Sequence, residues 1–130
     1  MNIYKCDLCG TIVEELKFGA MHPDCCGQPM TLLVPGTSDG AVEKHLPVME
    51  IDGKIVRIQI GENAHPMMDN HYIEWIAVET TRGMQKKYLK PCEEPKAVFL
   101  VDIDEDIIDV YAYCNLHGLW KTSAPCIDDQ

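Results

Sequence analysis

From residue 46 onward the sequence is a series of short apolar or alternating runs separated by residues that favour turns. No 3.6-residue period is sustained, so the pattern predicts strands rather than helices. The runs LPVMEI and KIVRIQI flank Asp52-Gly53, and the runs YIEWIAVET and MQKKYLK flank Arg82-Gly83. Because Gly-containing pairs of this kind favour tight two-residue turns, we expect two β-hairpins.

Two further runs, KAVFLVDI and IIDVYAYC, follow on either side of an acidic turn. Six or seven short strands over about 90 residues are typical of an antiparallel sandwich of the immunoglobulin-like kind. In such a fold Cys114 lies at the end of the last or penultimate strand, and His117 lies on the loop beyond it. The sequence therefore predicts a mostly β protein with this sandwich as its larger part.

Residues 1–35 differ from the rest of the chain, because their apolar residues are sparse and scattered. A segment this small cannot bury enough surface to fold unaided. Residues 35–44, PGTSDGAVEK, are rich in Gly, Ser and Asp and indicate a linker. We expect a small metal-stapled domain at residues 1–35 and a β-sandwich domain at residues 36–130.

The small domain contains four cysteines, Cys6, Cys9, Cys25 and Cys26, and a glycine follows each pair. Glycine allows the tight turn that points amide N–H groups at the sulfurs. Four thiolates at this spacing predict a tetrahedral metal site, and both zinc and iron accept four sulfurs. The spacing does not choose between a structural zinc and a redox-active iron. We expect His22 to be an exposed loop residue.

The net charge of −10 limits the partners of this chain, since it repels phosphate backbones and anionic lipids. Neither nucleic acid nor a membrane is an expected partner, and an anionic substrate would need local positive charge at its site. We find no secretory h-region and no run of about 18 apolar residues. A cytoplasmic location is expected, where seven cysteines favour metal ligation over disulfides.

A second group of candidate ligands, His45, His65, His71, Cys114 and His117, falls on predicted loops or strand ends. Each histidine alone is more simply a surface residue, but four with a thiol favour a shared metal. Zinc is normally satisfied by four ligands, so five donors favour ferrous iron with one open position. A blue-copper site needs a methionine soon after the last histidine, and HGLWKTSAP has none.

Three further kinds of residue stand near these candidates in the sequence. Glu43 and Lys44 directly precede His45, and alone they indicate a solvated linker patch. If His45 is a ligand, Lys44 supplies the positive charge that the acidic chain otherwise lacks. We expect Trp75 and Trp120 to pack around the site as apolar walls.

Five segments, in order, are similar to the motifs of one known family. These segments are CDLCG, CCGQPM, EKHLP, AHPMMDNHYIEW and YCNLHGLW. Together they resemble superoxide reductase of the two-iron type, also called desulfoferrodoxin or rubredoxin oxidoreductase, over essentially the whole chain. The resemblance implies a desulforedoxin-like domain joined to an immunoglobulin-like sandwich, usually as a homodimer.

The resemblance also implies two iron ions per chain. The first, Fe(Cys)₄, would be held by Cys6, Cys9, Cys25 and Cys26. The second, a catalytic Fe²⁺, would have His45, His65, His71 and His117 as equatorial ligands and Cys114 as the axial ligand. Cys92 and Cys126 have no place in the motifs, and we expect ordinary thiols.

The implied reaction is O₂⁻ + e⁻ + 2H⁺ → H₂O₂ without release of O₂, as a defence against oxidative stress in an anaerobe-type metabolism. Lys44 would attract superoxide, Glu43 would replace the departing product, and a rubredoxin-like protein would donate electrons. Two alternatives stay open. The four-cysteine centre could be the working part of an electron carrier, or the chain could dismutate superoxide and return O₂.

Overall fold

The structure, a computed structural model, describes residues 1–38 and 40–124. The chain divides into two compact units, Met1–Val34 and a second unit that begins at Pro35. Both are built from antiparallel strands. The predicted fold class, mostly β with a cysteine-bearing unit followed by an immunoglobulin-like sandwich, is confirmed. Within the described residues no helix has the length and apolar character needed to cross a membrane.

The first unit contains five short strands around very little core. These are β1 (Asn2–Lys5), β2 (Ile12–Glu15), β3 (Asp24–Cys25), β4 (Gln28–Pro29) and β5 (Thr31–Leu32). One sheet has the order β2-β1-β5, and β3 pairs with β4. A cluster of Tyr4, Cys6 and Met30 forms the buried centre, whereas Leu16 and Phe18 are exposed. So small a core leaves the metal site as a main source of stability.

The second unit consists of one short helix and seven strands within its described residues. These are α1 (Val42–His45), β6 (Pro47–Asp52), β7 (Ile55–Ile60), β8 (Ile73–Thr80), β9 (Gly83–Tyr88), β10 (Lys96–Leu100), β11 (Ile107–Cys114) and β12 (Gly118–Ser123). The sheets have the orders β10-β7-β6 and β12-β11-β8-β9. Apolar side chains of both sheets form one core that includes Ile58, Ile76 and Val110.

Both predicted hairpins are present, but each turn is displaced by one residue. Asp52 pairs with Ile55, so the first turn is Gly53-Lys54 rather than Asp52-Gly53. Thr80 pairs with Gly83, which places the second turn at Thr81-Arg82. In each hairpin the turn is still two residues long, so the prediction of two tight hairpins is correct and only the position of the turn differs.

Residues 35–44 are not a simple linker, and His45 lies on a short helix rather than at a strand end. Gly36 N–H donates to the Leu119 carbonyl at 2.9 Å, which ties this segment to β12. The segment then forms α1, with His45 as its last residue, and β6 begins two residues later at Pro47. A single helical turn is too short to produce a periodic sequence signal, so the pattern of small residues alone suggested a linker.

Gly61, at the end of β7, allows α1 to pack closely against the sheet. Its φ is +85°, and its N–H donates to the Leu46 carbonyl at 2.9 Å. A Cβ at this position would lie 2.5 Å from the carbonyl oxygens of both Lys44 and Asn63. Since real Cβ atoms do not approach oxygen so closely, only glycine fits beneath the turn that carries His45.

We predict that Gly61→Ala destabilises the chain more than Gly53→Ala. Gly53 also has a positive φ but has open space around it, so its substitution costs only the backbone strain, about 1 kcal/mol. Gly61→Ala adds overpacking, which costs about a further 1–3 kcal/mol. Urea unfolding of the two variants measures the difference, and equal losses would contradict the close packing described here.

Candidate metal centres

Four thiols of the first unit lie close enough together to hold one metal ion. All four sulfurs of Cys6, Cys9, Cys25 and Cys26 are within 4.8 Å of one another. The Cys9–Cys25 and Cys25–Cys26 sulfur separations are 3.6 and 3.9 Å. A tetrahedral metal with sulfur bonds of about 2.3 Å requires sulfurs about 3.8 Å apart, so the group fits such a site.

The adjacent cysteines reach the same point because the backbone turns sharply between them. Cys26 has a φ of +54° and is followed by Gly27 at +77°, a left-handed conformation that residues other than glycine rarely adopt. On the other side of the site, Cys9 N–H donates to the Cys6 sulfur at 3.5 Å. His22 is exposed and lies outside the group, as predicted.

Hydrogen bonds at this group move the pKa values of two thiols in opposite directions. Hydrogen bonding with the Thr11 hydroxyl, 3.1 Å from the Cys9 sulfur, lowers the pKa of Cys9 to about 6. Hydrogen bonding to Cys9 raises the pKa of Cys25 to about 12. Because a metal ligand must be a thiolate, metal binding at this group releases protons.

The second unit brings together all five candidate ligands of the second group. One ligand atom from each of His45, His65, His71, Cys114 and His117 lies within 4.8 Å of all the others. His45 ends α1, while His65 and His71 lie on the connection between β7 and β8. Cys114 ends β11, and His117 directly precedes β12. The ligands therefore come from three loops at strand ends.

A β-bulge directs Cys114 toward this group. Tyr113 pairs with Trp75, but the register then shifts by one residue, so that Cys114 pairs with Ile73. Bulges of this kind reorient a side chain at a strand end. The Cys114 side chain is fully buried, and its sulfur lies 3.8 Å from His117 Nδ1.

The four imidazoles occupy the corners of a square. Neighbouring ring centroids are 4.6 Å (His45–His65), 4.7 Å (His65–His71), 5.0 Å (His71–His117) and 4.7 Å (His117–His45) apart. Each of these neighbouring pairs is nearly perpendicular. The diagonal pair His45 and His71 is 6.5 Å apart. The thiol of Cys114 is thus a fifth donor beside a square of four.

The spacing of the ligand nitrogens is close to that of a metal site with right angles between neighbouring ligands. His45 Nε2 lies 3.0 Å from His117 Nδ1 and 3.2 Å from His65 Nε2. Bonds of about 2.1 Å at right angles require neighbouring nitrogens about 3.0 Å apart. His71 Nε2 is buried with no hydrogen-bond partner among the described residues, and a buried polar atom of this kind indicates a further partner such as a metal ion.

The second nitrogens of the two buried rings are held by the backbone. His45 Nδ1 lies 2.7 Å from the Ala41 carbonyl, and His65 Nδ1 lies 2.7 Å from the Pro66 carbonyl. A carbonyl only accepts, so each Nδ1 carries the proton and each Nε2 is free to bind metal. This pairing matches the expectation that ligand histidines donate their other N–H to backbone oxygen.

Burial favours the neutral form of three of the imidazoles. It lowers the pKa of His65 to about 4 and also lowers the pKa values of His45 and His71. Neighbouring imidazoles act in the same direction on all three rings, since protonation of one disfavours protonation of the next. Burial raises the pKa of Cys114, so a positive ion is needed to favour its thiolate.

Two residues that the sequence analysis did not single out brace the histidine group. The Asn115 side chain accepts from Tyr72 N–H at 2.9 Å and donates to the Asn70 carbonyl at 3.0 Å. It thereby joins the turn after Cys114 to the loop that carries His71. A Cβ on Gly40 would lie 3.0 Å from His45 Cε1 and 3.2 Å from His117 Cβ, so a side chain there would press on both histidines.

Glu43 and Lys44 lie on α1 and are exposed. Their charges act on the histidine group. After burial and His117, the charge of Lys44 further lowers the pKa of His71. The charge of Glu43 acts in the opposite direction on the pKa of His45, where burial dominates.

The remaining singled-out residues have different surroundings. Trp120 stacks on His45, whereas Trp75 stacks on Tyr113 with ring centroids 5.8 Å apart. Cys92 is exposed in a turn with a φ of +72°, and its N–H donates to the Met67 carbonyl. Cys126 lies outside the described residues.

Comparison with known proteins gives one consistent result for both units. Residues 37–123 match the desulfoferrodoxin family, and residues 1–33 match the N-terminal domain of that family. A desulfoferrodoxin homolog of Archaeoglobus fulgidus is 48% identical over 122 residues, covering 94% of this chain and 96% of the relative. The desulfoferrodoxin of Nitratidesulfovibrio vulgaris is 47% identical over 123 residues, covering 95% and 96%.

A solved structure has the same fold over nearly its whole length. The crystal structure of the superoxide reductase from Treponema pallidum superposes with a TM-score of 0.78 and 31% sequence identity. The match covers 94% of this chain and 98% of that chain.

A four-cysteine site on a small unit and a histidine and cysteine site on a sandwich define an oxidoreductase with two iron sites. The chain belongs to the desulfoferrodoxin family. Its two ligand groups correspond to the two iron sites of that family, Fe(Cys)₄ and Fe(His)₄Cys.

We predict that Cys114→Ser removes iron from the histidine group and leaves the absorption of the four-sulfur centre intact. A serine hydroxyl is a far weaker ligand than a thiolate, and the two ligand groups share no residue. Metal analysis should show a fall from about two iron ions per chain toward one. Cys92→Ser is the matched control, because its exposed thiol belongs to neither group. Equal iron content in both variants would contradict the ligand assignment.

Proposed function

We propose that this chain reduces superoxide to hydrogen peroxide at the histidine group. The observation that carries the proposal is the square of four imidazole nitrogens with the Cys114 thiol as a fifth donor. Five protein donors leave one position of a six-coordinate ion for a small ligand. Bound ferrous iron supplies the single electron of the reaction O₂⁻ + e⁻ + 2H⁺ → H₂O₂.

The ligand set gives the site a charge that suits an anionic substrate. Four neutral imidazoles and one thiolate carry a total charge of −1, so a divalent ion leaves a net charge of +1. Burial supports this state because it lowers the pKa values of His45, His65 and His71 and so favours their uncharged form. The positive site can therefore attract superoxide in a chain whose net charge is −10.

Lys44 and Glu43 are proposed to act on substrate and product. Lys44 is exposed on α1 directly before His45, so its ammonium can attract superoxide toward the site and orient the water that supplies protons. Glu43, its neighbour, carries the opposite charge and is proposed to take the place of the departing product. The single turn of α1 thus carries the proposed metal ligand His45, the cation Lys44 and the carboxylate Glu43 that is proposed to replace the product.

We predict that Lys44→Ala slows the reaction with superoxide and reduces its dependence on salt. Removing a positive charge close to the site weakens the attraction of the anion, which salt otherwise screens. Lys54→Ala is the matched control, because Lys54 lies in the turn at the far end of β6, about 20 Å along the strand. Pulse radiolysis over a range of ionic strength measures both rates, and identical rates would remove Lys44 from the proposal.

The yields of peroxide and dioxygen test the reaction itself. A pulse of superoxide given to the reduced protein should yield as much peroxide as superoxide consumed, with no dioxygen. A dismutase would convert half of the superoxide to dioxygen. A pure electron carrier would leave the decay of superoxide at its spontaneous rate, so either of these results would reject the proposal.

The cellular setting is proposed by the same family relationship. We propose a role in defence against oxidative stress in an anaerobe-type metabolism, a cytoplasmic location, a homodimer and a rubredoxin-like electron donor. The four-cysteine centre is proposed to take part in electron transfer.

A further inference from the structure

One buried indole, that of Trp120 on β12, contacts two of the four histidines. The side chain is 3% exposed. Its ring stacks on the His45 imidazole, with centroids 4.8 Å apart and planes inclined by 26°. Its Nε1–H donates to the His117 carbonyl at 2.9 Å. The ring face and the N–H group of one rigid side chain thus contact two different histidines of the group.

Stacking against Trp120 restricts the plane of the His45 ring, which the hydrogen bond of His45 does not set. The bond from Nδ1 to the Ala41 carbonyl sets the position of one ring atom, but it does not by itself set the plane of the ring. A flat indole against the imidazole face restricts that plane. The direction of the Nε2 lone pair then follows, because it lies in the plane of the ring.

The hydrogen bond from the Trp120 indole acts on His117, which occupies the corner of the square next to His45. His117 offers Nδ1, the nitrogen nearer to the backbone, 3.0 Å from His45 Nε2. Nδ1 is bonded directly to Cγ and lies closer to the backbone than Nε2, so a given movement of the ring about Cβ displaces it less, and its position follows the backbone of His117 more closely. By holding the His117 carbonyl, Trp120 holds this ligand nitrogen in place.

We propose that Trp120 is a positioning residue that fixes two adjacent corners of the histidine square and so keeps iron bound there. The proposal rests on metal binding by the histidine group, as the proposed function does, but it does not depend on superoxide being the substrate. Groups outside the ligand set that orient ligands typically contribute about 10- to 100-fold in metal affinity.

Three variants of the full-length, iron-loaded chain test this role. Trp120→Phe keeps an aromatic ring against His45 and removes the N–H donor, whereas Trp120→Leu removes both contacts. Trp75→Leu is the matched control, since Trp75 is also buried and stacked but on Tyr113 instead of a ligand. Urea unfolding reports the general cost of losing each indole.

The rate of Fe²⁺ loss is measured with a chelator that forms a coloured complex with Fe²⁺. The sulfur-to-iron absorption of the four-cysteine centre shows separately whether iron leaves that site. Release from the histidine group should be about 10- to 100-fold faster in Trp120→Leu, intermediate in Trp120→Phe and unchanged in Trp75→Leu. The electron paramagnetic resonance spectrum of the oxidised histidine centre should broaden in the same order, since its ligands become less uniform.

Two results would overturn the proposal. One is release from Trp120→Phe and Trp120→Leu at the rate of the unaltered chain. The other is equally fast release from Trp75→Leu, because the loss would then come from general destabilisation. A chain that binds iron without reducing superoxide would leave the test valid, so failure of the proposed function and failure of this role are distinguishable.

Discussion

Four imidazole nitrogens can meet at one point only if the segments that carry them end at the same edge of the sandwich. The strand registers meet this requirement. Pro47 at the start of β6 pairs with Ile60 at the end of β7. In the other sheet, Cys114 at the end of β11 pairs with Ile73 near the start of β8 and with Gly118 at the start of β12. Antiparallel pairing thus brings three ligand-bearing connections, distant in sequence, to one end of the fold.

The same end of the fold buries three of the five ligands and partly buries the other two, and this burial has two opposite effects. It favours neutral imidazoles, which a metal requires, and it disfavours the Cys114 thiolate, which a metal also requires. A divalent ion resolves the conflict, because its charge stabilises the thiolate without opposing the neutral rings. Fixed carbonyls at Ala41 and Pro66 then orient two of the rings toward the ion.

Much of this arrangement was predictable from the sequence, because ligand types, turn residues and strand alternation are local signals. β11 has the bounds expected from IIDVYAYC, and each hairpin is displaced by only one residue. The short helix α1 was not predictable, since four residues carry no period. Contacts between residues distant in sequence were not predictable either. Nothing local distinguishes Gly61 from Gly53, or Trp120 from Trp75, because the difference lies in which distant atoms they meet.

Neither ligand group borrows a residue from the other unit, for Cys6 to Cys26 all precede residue 35 and His45 to His117 all follow it. Gene fusion or truncation near residue 35 could therefore add or delete a whole metal centre in a single event. The two metal centres can therefore change independently during evolution. A rearrangement at the boundary near residue 35 would leave both sets of metal ligands intact.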